Sequence, residues 1–327
     1  MLKIKKILLR FSLAVITVTG TPVIAQNWPS KPITIVVPFA AGGPTDFIAR
    51  LVAEPLSKEL GQPVIISNKT GASGTIGVQS VKESLPDGYA LVHTTIAAQA
   101  LNPILYPNWD VNPQKDFAIV GTTATLPNVL VVSPKMGITT LSELINRAKS
   151  KNEGLTYATF GIGTSPHILG MLLQKVARID AVAVPYRGSA PALIDVMAGQ
   201  VDFSFDNITT SAPQVKAGKI VALAIAAPNR SKMLPDVPTL AELGYPGFNL
   251  SFGFSLSAPT GIPADVLNKL QRAFQNVSQS TEYAESLQAR GAEPLLVKTT
   301  DLASFISTAD ARWVLVAEEL NLKGEGK

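Results

Sequence analysis

The sequence predicts an α/β protein of two lobes, each a mostly parallel sheet flanked by helices, followed by a long helical tail. Three observations carry this. Short apolar, β-branched runs alternate with helical stretches, the spacing of βαβ units. The alternation occurs in two series, one from Ile33 and one from near Asn128. The 327 residues suffice for two domains, at roughly 150 residues each.

The first series opens on Ile33-Thr-Ile-Val-Val-Pro-Phe39, a nearly continuous apolar run expected of a strand covered on both faces. Ala40-Ala-Gly-Gly-Pro44 turns the chain, and Thr45 or Asp46 caps the next helix. Phe47, Leu51, Leu56 and Leu60 form its apolar side. Pro55 is expected to bend or shorten that helix, and Gly61 to end it. Pro63–Ser67 reads as a strand, Thr70–Gly74 as a loop, Ile76–Ser84 as a helix and Ala90–Thr94 as a strand.

In the second series Val129–Val132 is a strand, and Thr140-Leu-Ser-Glu143 is a capping box before a helix. Thr156–Thr159 is a strand, Phe160–Ser165 a loop and Pro166–Val176 a helix. Ala181–Val184, Val201–Phe205 and Ile220–Ala226 are further strands, with Ser189 capping the helix that ends at Gly199. Thr239-Leu-Ala-Glu242 is a second capping box. From Phe254 come one more strand and helices over Ala264–Ser278, Glu282–Arg290 and Asp301–Leu320.

Apolar residues make up 46% and charged ones 16%, which excludes a disordered or coiled-coil chain. The net charge of +4 resides in residues 1–25, which hold Lys3, Lys5, Lys6, Arg10 and no acid. Removing these four from 28 basic residues leaves 24 against 24 acidic ones, so no electrostatic footprint for nucleic acid survives. Those residues read as a secretory signal: a basic start, an apolar run from Phe11, then Val23-Ile24-Ala25 before a cut at Gln26. Cysteine is absent, which removes disulfides and thiolate chemistry.

Three Gly-, Ser- and Thr-rich loops follow predicted strands and open helices: Phe39–Asp46, Thr70–Thr75 and Phe160–Ser165. In open α/β sheets ligands bind beyond the carboxyl ends of the strands, where helix N-termini favour an anion. The loops therefore suggest an anion between two lobes; the plain alternative is that they only make turns. There is no P-loop, no G-x-G-x-x-G and no G-x-S-x-G. His93 and His167, the two histidines, cannot form a multi-histidine metal site. His93 reads as structural. His167 either bonds its own loop or contacts a ligand. Asp46 reads as a loop-fixing cap, and Asp206 and Asn207 as ligand contacts or caps.

Ordered motifs from Trp28 nearly to the C-terminus identify a family. They include Val37-Pro-Phe-Ala-Ala-Gly-Gly-Pro-Thr-Asp46, Gly71-Ala-Ser-Gly-Thr-Ile-Gly77, Pro86-Asp-Gly-Tyr89, Val184-Pro-Tyr-Arg-Gly-Ser189 and Leu234-Pro-Asp-Val-Pro-Thr239. The chain resembles the substrate-binding proteins of tripartite tricarboxylate transporters, the Bug family of periplasmic receptors. The resemblance implies a monomeric Venus-flytrap receptor, without enzymatic activity, cofactor or metal, that binds a small organic acid. Its partners would be the membrane subunits of a transporter, or alternatively a membrane sensor. The rival reading from another class is a secreted hydrolase using Asp46, Ser73 or His167, for which the chain shows no nucleophile–base spacing. The resemblance also implies lobe 1 from residues 26–126 and 251–327, and lobe 2 from 127–250.

Carried over residue by residue, the resemblance places Phe39, Gly42, Gly43, Asp46, Ala72, Ser73 and Gly74 on the ligand's near carboxylate. Thr94, Thr95 and Ala97 would line the same wall. Gly161, Thr164, Ser165, His167, Tyr186 and Asp206 would face its far end. Family members often carry Trp-Gly before the segment ending Ala258-Pro259, where this chain has Phe252-Gly-Phe-Ser-Leu-Ser257. That difference predicts an altered ligand size or closure if the strand borders the cleft.

Overall fold

The computed structural model describes residues 28–150, 154–248 and 252–326. The expected signal peptide falls outside them. β1 (Ile33–Val37) leads to α1 (Pro44–Leu60), β2 (Val64–Asn68), α2 (Thr75–Lys82), β3 (Ala90–Thr95) and α3 (Ile96–Leu105). A single turn, α4 (Pro113–Asp116), opens β4 (Phe117–Leu126), which continues through Pro127 into β5 (Asn128–Val132). Then come α5 (Leu141–Ser150), β6 (Leu155–Thr159), α6 (Ser165–Ala177), β7 (Ala181–Pro185), α7 (Ser189–Ala198), β8 (Phe203–Asn207), α8 (Ile208–Lys216) and β9 (Val221–Ala226). β10 (Phe252–Pro259) is followed by α9 (Ala264–Ser278), α10 (Thr281–Gln288), β11 (Glu293–Pro294) and α11 (Leu302–Glu319).

These strands make two sheets, ordered β11-β4-β10-β3-β1-β2 and β7-β6-β8-β5-β9. The first is parallel at β2-β1-β3 and antiparallel at β3-β10-β4-β11. The second is parallel at β7-β6-β8 and antiparallel where β5 lies between β8 and β9. Both sheets are therefore mixed: four of six strands in the first and four of five in the second run one way, with β10, β11 and β5 opposed. The two strands that bring the chain into a new sheet, β5 and β10, run against their neighbours. Only strands joined by crossover helices keep the parallel direction.

α1 runs unbroken through Pro55 and ends on Gly61 in the left-handed region (φ 68°). Its buried face holds Ile48, Val52, Leu56 and Leu60, while Phe47 and Leu51 are half-buried, so the stripe is rotated from the expected one. The first capping box forms: Glu143 accepts from the Thr139 and Thr140 amides, and its own amide donates to Thr140 Oγ1. Thr239 and Glu242 make the same reciprocal bonds, yet only turns follow. There the Leu240 amide bonds Ile225 and ties the segment to β9 instead.

The ten-residue β4 and the helices α3 and α8, with the short α4 and β11, exceed the expectation from sequence. α3 packs with the tail into the core beneath the second sheet, alongside Trp313 and Leu320. Trp313 lies against Phe252, with ring centroids 5.0 Å apart. The tail thus ties both lobes together. Lys175 on α6 also pairs with Glu319 at 2.8 Å, but both side chains are about half exposed, and such a pair is worth little in water.

His93 is wholly buried in β3, where its Nε2 pairs with Thr123 Oγ1 at 3.0 Å and its ring stacks on Phe254. Burial pushes its pKa down to about 3, against a weaker opposing effect of the Thr45 backbone and Asp46. His167 is pushed down to about 4 by burial. Both are neutral when folded and protonate more readily when unfolded. Their contribution is complete above pH 6.5 and is lost as pH falls toward these lowered values. At pH 5 each removes about 2 kcal/mol relative to pH 7.5. In His93→Gln, urea unfolding at the two pH values should differ by about 2 kcal/mol less than in the parent. An unchanged difference would contradict the assignment.

Candidate functional site

The loop after β1 is held by one buried carboxylate. Asp46, third residue of α1, accepts from the Gly42 amide at 2.9 Å and from Arg50 through Nε at 2.9 Å and the terminal nitrogen at 3.0 Å. Asn68 Nδ2 at the end of β2 donates to Asp46 Oδ1 and to the Phe39 carbonyl, both at 3.0 Å. Burial acts to raise the Asp46 pKa, but the bonds from Arg50, Gly42 and Asn68 prevail and hold it below the ordinary value. The N-cap of α1 is Gly43, not Thr45 or Asp46. The Gly42 amide is thus engaged by Asp46, and the Gly43 amide turns back to the Ala40 carbonyl at 3.3 Å. The helical ladder starts with Phe47 donating to Gly43, so the Thr45 and Asp46 amides have no helical acceptor.

The second loop is strained. Gly71, Ala72, Ser73 and Gly74 have φ of 133°, 42°, 52° and 92°, and Ala72 and Ser73 occupy a region that side chains disfavour. The Ser73 hydroxyl accepts from Tyr106 at 2.9 Å, and Thr75 Oγ1 donates to the Ala72 carbonyl at 2.9 Å.

The third loop is also braced from within. Thr164 Oγ1 donates to the Gly161 carbonyl at 2.6 Å, and the Gly163 amide donates to His167 Nδ1 at 3.2 Å. His167 is therefore a buried acceptor that shapes its loop. Ser165 Oγ donates to Asn128 Oδ1 at 3.2 Å, joining the loop to β5.

Two cavities among the described residues are lined by these three loops. The inner one, about 40 Å3, is lined by Gly43, Thr95, Thr164, Gly188 and Asn207, and these are the N-caps of α1, α3, α6, α7 and α8. Of the five, only Thr95 uses its side chain to cap its own helix. Five positive helix ends thus converge on a cavity with no charged lining residue. Phe252 and Phe254 complete its wall, so the strand that departs from the family's Trp borders the cleft. The outer groove, about 380 Å3, is lined by the Gly71–Gly74 turn, Gly161, Tyr186 and Arg187. Phe39 and Phe160 line both spaces and stand between them.

Of the expected residues, Phe39, Gly43, Thr95, Thr164 and Ser165 meet at the inner cavity. Ala72, Ser73, Gly74, Gly161 and Tyr186 meet at the outer groove, with Tyr186 donating its hydroxyl to Asp195 at 2.7 Å. Gly42, Asp46, Thr94, Ala97, His167 and Asp206 line neither. Thr94 and Ala97 do not reach the wall of either space, because β3 passes directly into α3 and both residues are buried in the core. Asp206 is fully buried, with Oδ2 accepting from Thr210 at 2.6 Å. Burial pushes its carboxyl up to about 6. Thr45, Phe160, Arg187 and Ser189 line the spaces without having been assigned there from sequence, whereas Asn207, read as a ligand contact or a cap, lines the inner one and is the N-cap of α8. Ser189 follows the N-cap Gly188 and is not itself the cap.

A model of the tripartite tricarboxylate transporter family receptor matches residues 48–322. The chain belongs to this family. This receptor is 34% identical to BugT of Bordetella pertussis, over 93% of its own length and 94% of that protein. A protein of R. palustris solved with adipate superposes with a TM-score of 0.86 at 34% identity, covering 90% of this chain and 99% of the other. MatC of Rhodopseudomonas palustris with bound malate gives 0.82 at 33% identity, with coverage of 88% and 99%. The family and fold are those of periplasmic substrate-binding proteins.

The lobes touch through glycine. A Cβ on Gly161, whose φ is +115°, would lie 2.4 Å from Ser73 Oγ across the cleft. Gly218 also has positive φ (+67°), but open space surrounds it. Gly161→Ala should hold the lobes apart and enlarge the radius of gyration in X-ray scattering, whereas Gly218→Ala should leave it unchanged. Unaltered scattering from Gly161→Ala would contradict the contact.

Proposed function

We propose that this protein is a periplasmic receptor that captures a small organic acid and delivers it to the membrane subunits of a tripartite transporter. The observation that carries this reading is the meeting of five helix N-caps at an uncharged inner cavity. Such a place suits an anion, and the relatives solved with adipate and malate hold dicarboxylic acids. The near carboxylate enters the inner cavity beside Gly43, Thr45, Thr164 and Ser165. The remainder of the ligand passes Phe39 and Phe160 toward the Ala72–Gly74 turn, Gly161 and Tyr186. Arg187, the one charged side chain among the described residues lining the two spaces, meets a second negative group there.

In this reading residues 1–25 are a removable export signal. Residues 26–126 with 251–327 form one lobe and 127–250 the other. The receptor acts as a monomer and makes no covalent change to its ligand. Closure follows if the acid binds the closed arrangement better than the open one.

Thermal unfolding of the mature chain against a panel of mono-, di- and tricarboxylic acids tests this. A true ligand at 100 times its Kd should add about 2.7 kcal/mol of apparent stability and be recovered unchanged after incubation. A panel that produces no shift, or an acid recovered as product, would contradict the proposal.

A further inference from the structure

The second-lobe side of the inner cavity carries buried polar atoms that the fold leaves unused. Ser189 is 1% exposed and Asp206 fully buried, and neither Ser189 Oγ nor Asp206 Oδ1 has a hydrogen-bond partner. The other Asp206 oxygen is engaged by Thr210 on α8. Ser189, first residue of α7, lines the cavity, as does Asn207, the residue after Asp206. Ser189 stands beside the Asp206 carboxyl, close enough for its rotated hydroxyl to donate to it and hold down its proton affinity. Buried polar groups are nearly always paired, so two neighbouring orphans at the edge of a cavity need a partner.

An ionised carboxylate only accepts, whereas a serine hydroxyl donates one proton and accepts through its lone pairs. Rotating the Ser189 hydroxyl toward Asp206 Oδ1 satisfies both the carboxylate and the serine proton. What remains directed at the cavity is the Ser189 lone pair. This corner therefore accepts hydrogen bonds, in contrast to the donating amides at the neighbouring helix ends. A plain carboxylate or methylene at this corner leaves the Ser189 acceptor unpaired. A hydroxyl or ammonium group on the ligand pairs with it.

Resting on the receptor reading above, we propose that the ligand is a carboxylic acid bearing its own hydrogen-bond donor, a hydroxyl or ammonium group, which Ser189 Oγ accepts while Asp206 positions the Ser189 hydroxyl. Ser189 is then the specificity-determining contact. Asp206 is a positioning residue that never touches the ligand. A side-chain amide at 206 can donate to Ser189 Oγ and turn the serine proton into the cavity, which reverses the polarity of the corner.

The test is calorimetric titration at pH 7.5 with matched acids that differ in one group: succinate, malate and aspartate; adipate, 2-hydroxyadipate and 2-aminoadipate; propionate, lactate and alanine. In the parent, the tightest-binding series should favour its hydroxy or amino member over the plain acid by about tenfold or more. Ser189→Ala should reduce that ratio to near one with thermal stability retained. Asp206→Asn should reduce or invert it while the plain acid still binds, an outcome that general loosening of the cavity would not give. Equal or tighter binding of the plain acid by the parent would overturn the proposal and leave the receptor reading intact. So would a ratio unchanged in Ser189→Ala. Absence of binding by every acid would overturn the receptor reading itself, and this inference with it.

Discussion

An anion enclosed where no side chain carries opposite charge must be neutralised by hydrogen-bond donors, and the rest of this cleft is organised around that need. Removing a carboxylate from water costs several kcal/mol even after the protein relaxes. A helix dipole returns roughly 0.3–1 kcal/mol per terminus, and a charged hydrogen bond about 1.5–3 kcal/mol. Dipoles alone therefore fall short, whereas three or four amides with their dipoles behind them suffice. The convergence of Gly43, Thr95, Thr164, Gly188 and Asn207, each at the head of a helix, supplies that number. It requires both sheets, because α1 and α3 belong to the first and α6, α7 and α8 to the second.

Amides at helix ends serve only if the loops carrying them stay in place, and each loop has its own brace. Asp46, with Arg50 and Asn68, fixes the loop before α1. Tyr106 holds the left-handed Ser73. His167 receives the Gly163 amide and must remain neutral to do so. Asp46 and His167 are buried, Asn68 and Tyr106 partly so and Arg50 exposed, and of these only Tyr106 lines either space. Chemistry-bearing residue types thus appear here as supports, while the donors in front are main-chain groups.

That division explains what could be read in the chain beforehand. Apolar runs such as Ile33–Val37 and Val129–Val132 announced their strands, and Gly61 ended α1 as its position implied. The mixed character of the sheets was not legible, because β5 and β10 have the same apolar composition whichever way they run. The three Gly-rich turns border the inner cavity and the outer groove. Individual residues were harder: Asp46 read as a loop brace but was placed on the ligand by the resemblance, His167 was open between the two, and their hydrogen bonds assign both to the loops. Phe160 and Ser189 carried no signal of their own beyond neighbouring a turn. Thr94 and Ala97 were placed on the cleft wall by the resemblance, but the direct strand-to-helix junction at Thr95 buries both.

A crystal structure of the mature protein with a bound organic acid tests the central claim most directly. The account predicts a ligand carboxylate in the inner space, within about 2.7–3.2 Å of first-turn amides from at least two of α1, α6, α7 and α8. A carboxylate held instead by Arg187 alone, or a ligand seated in the separate hollow beside Pro228–Met233, would contradict it.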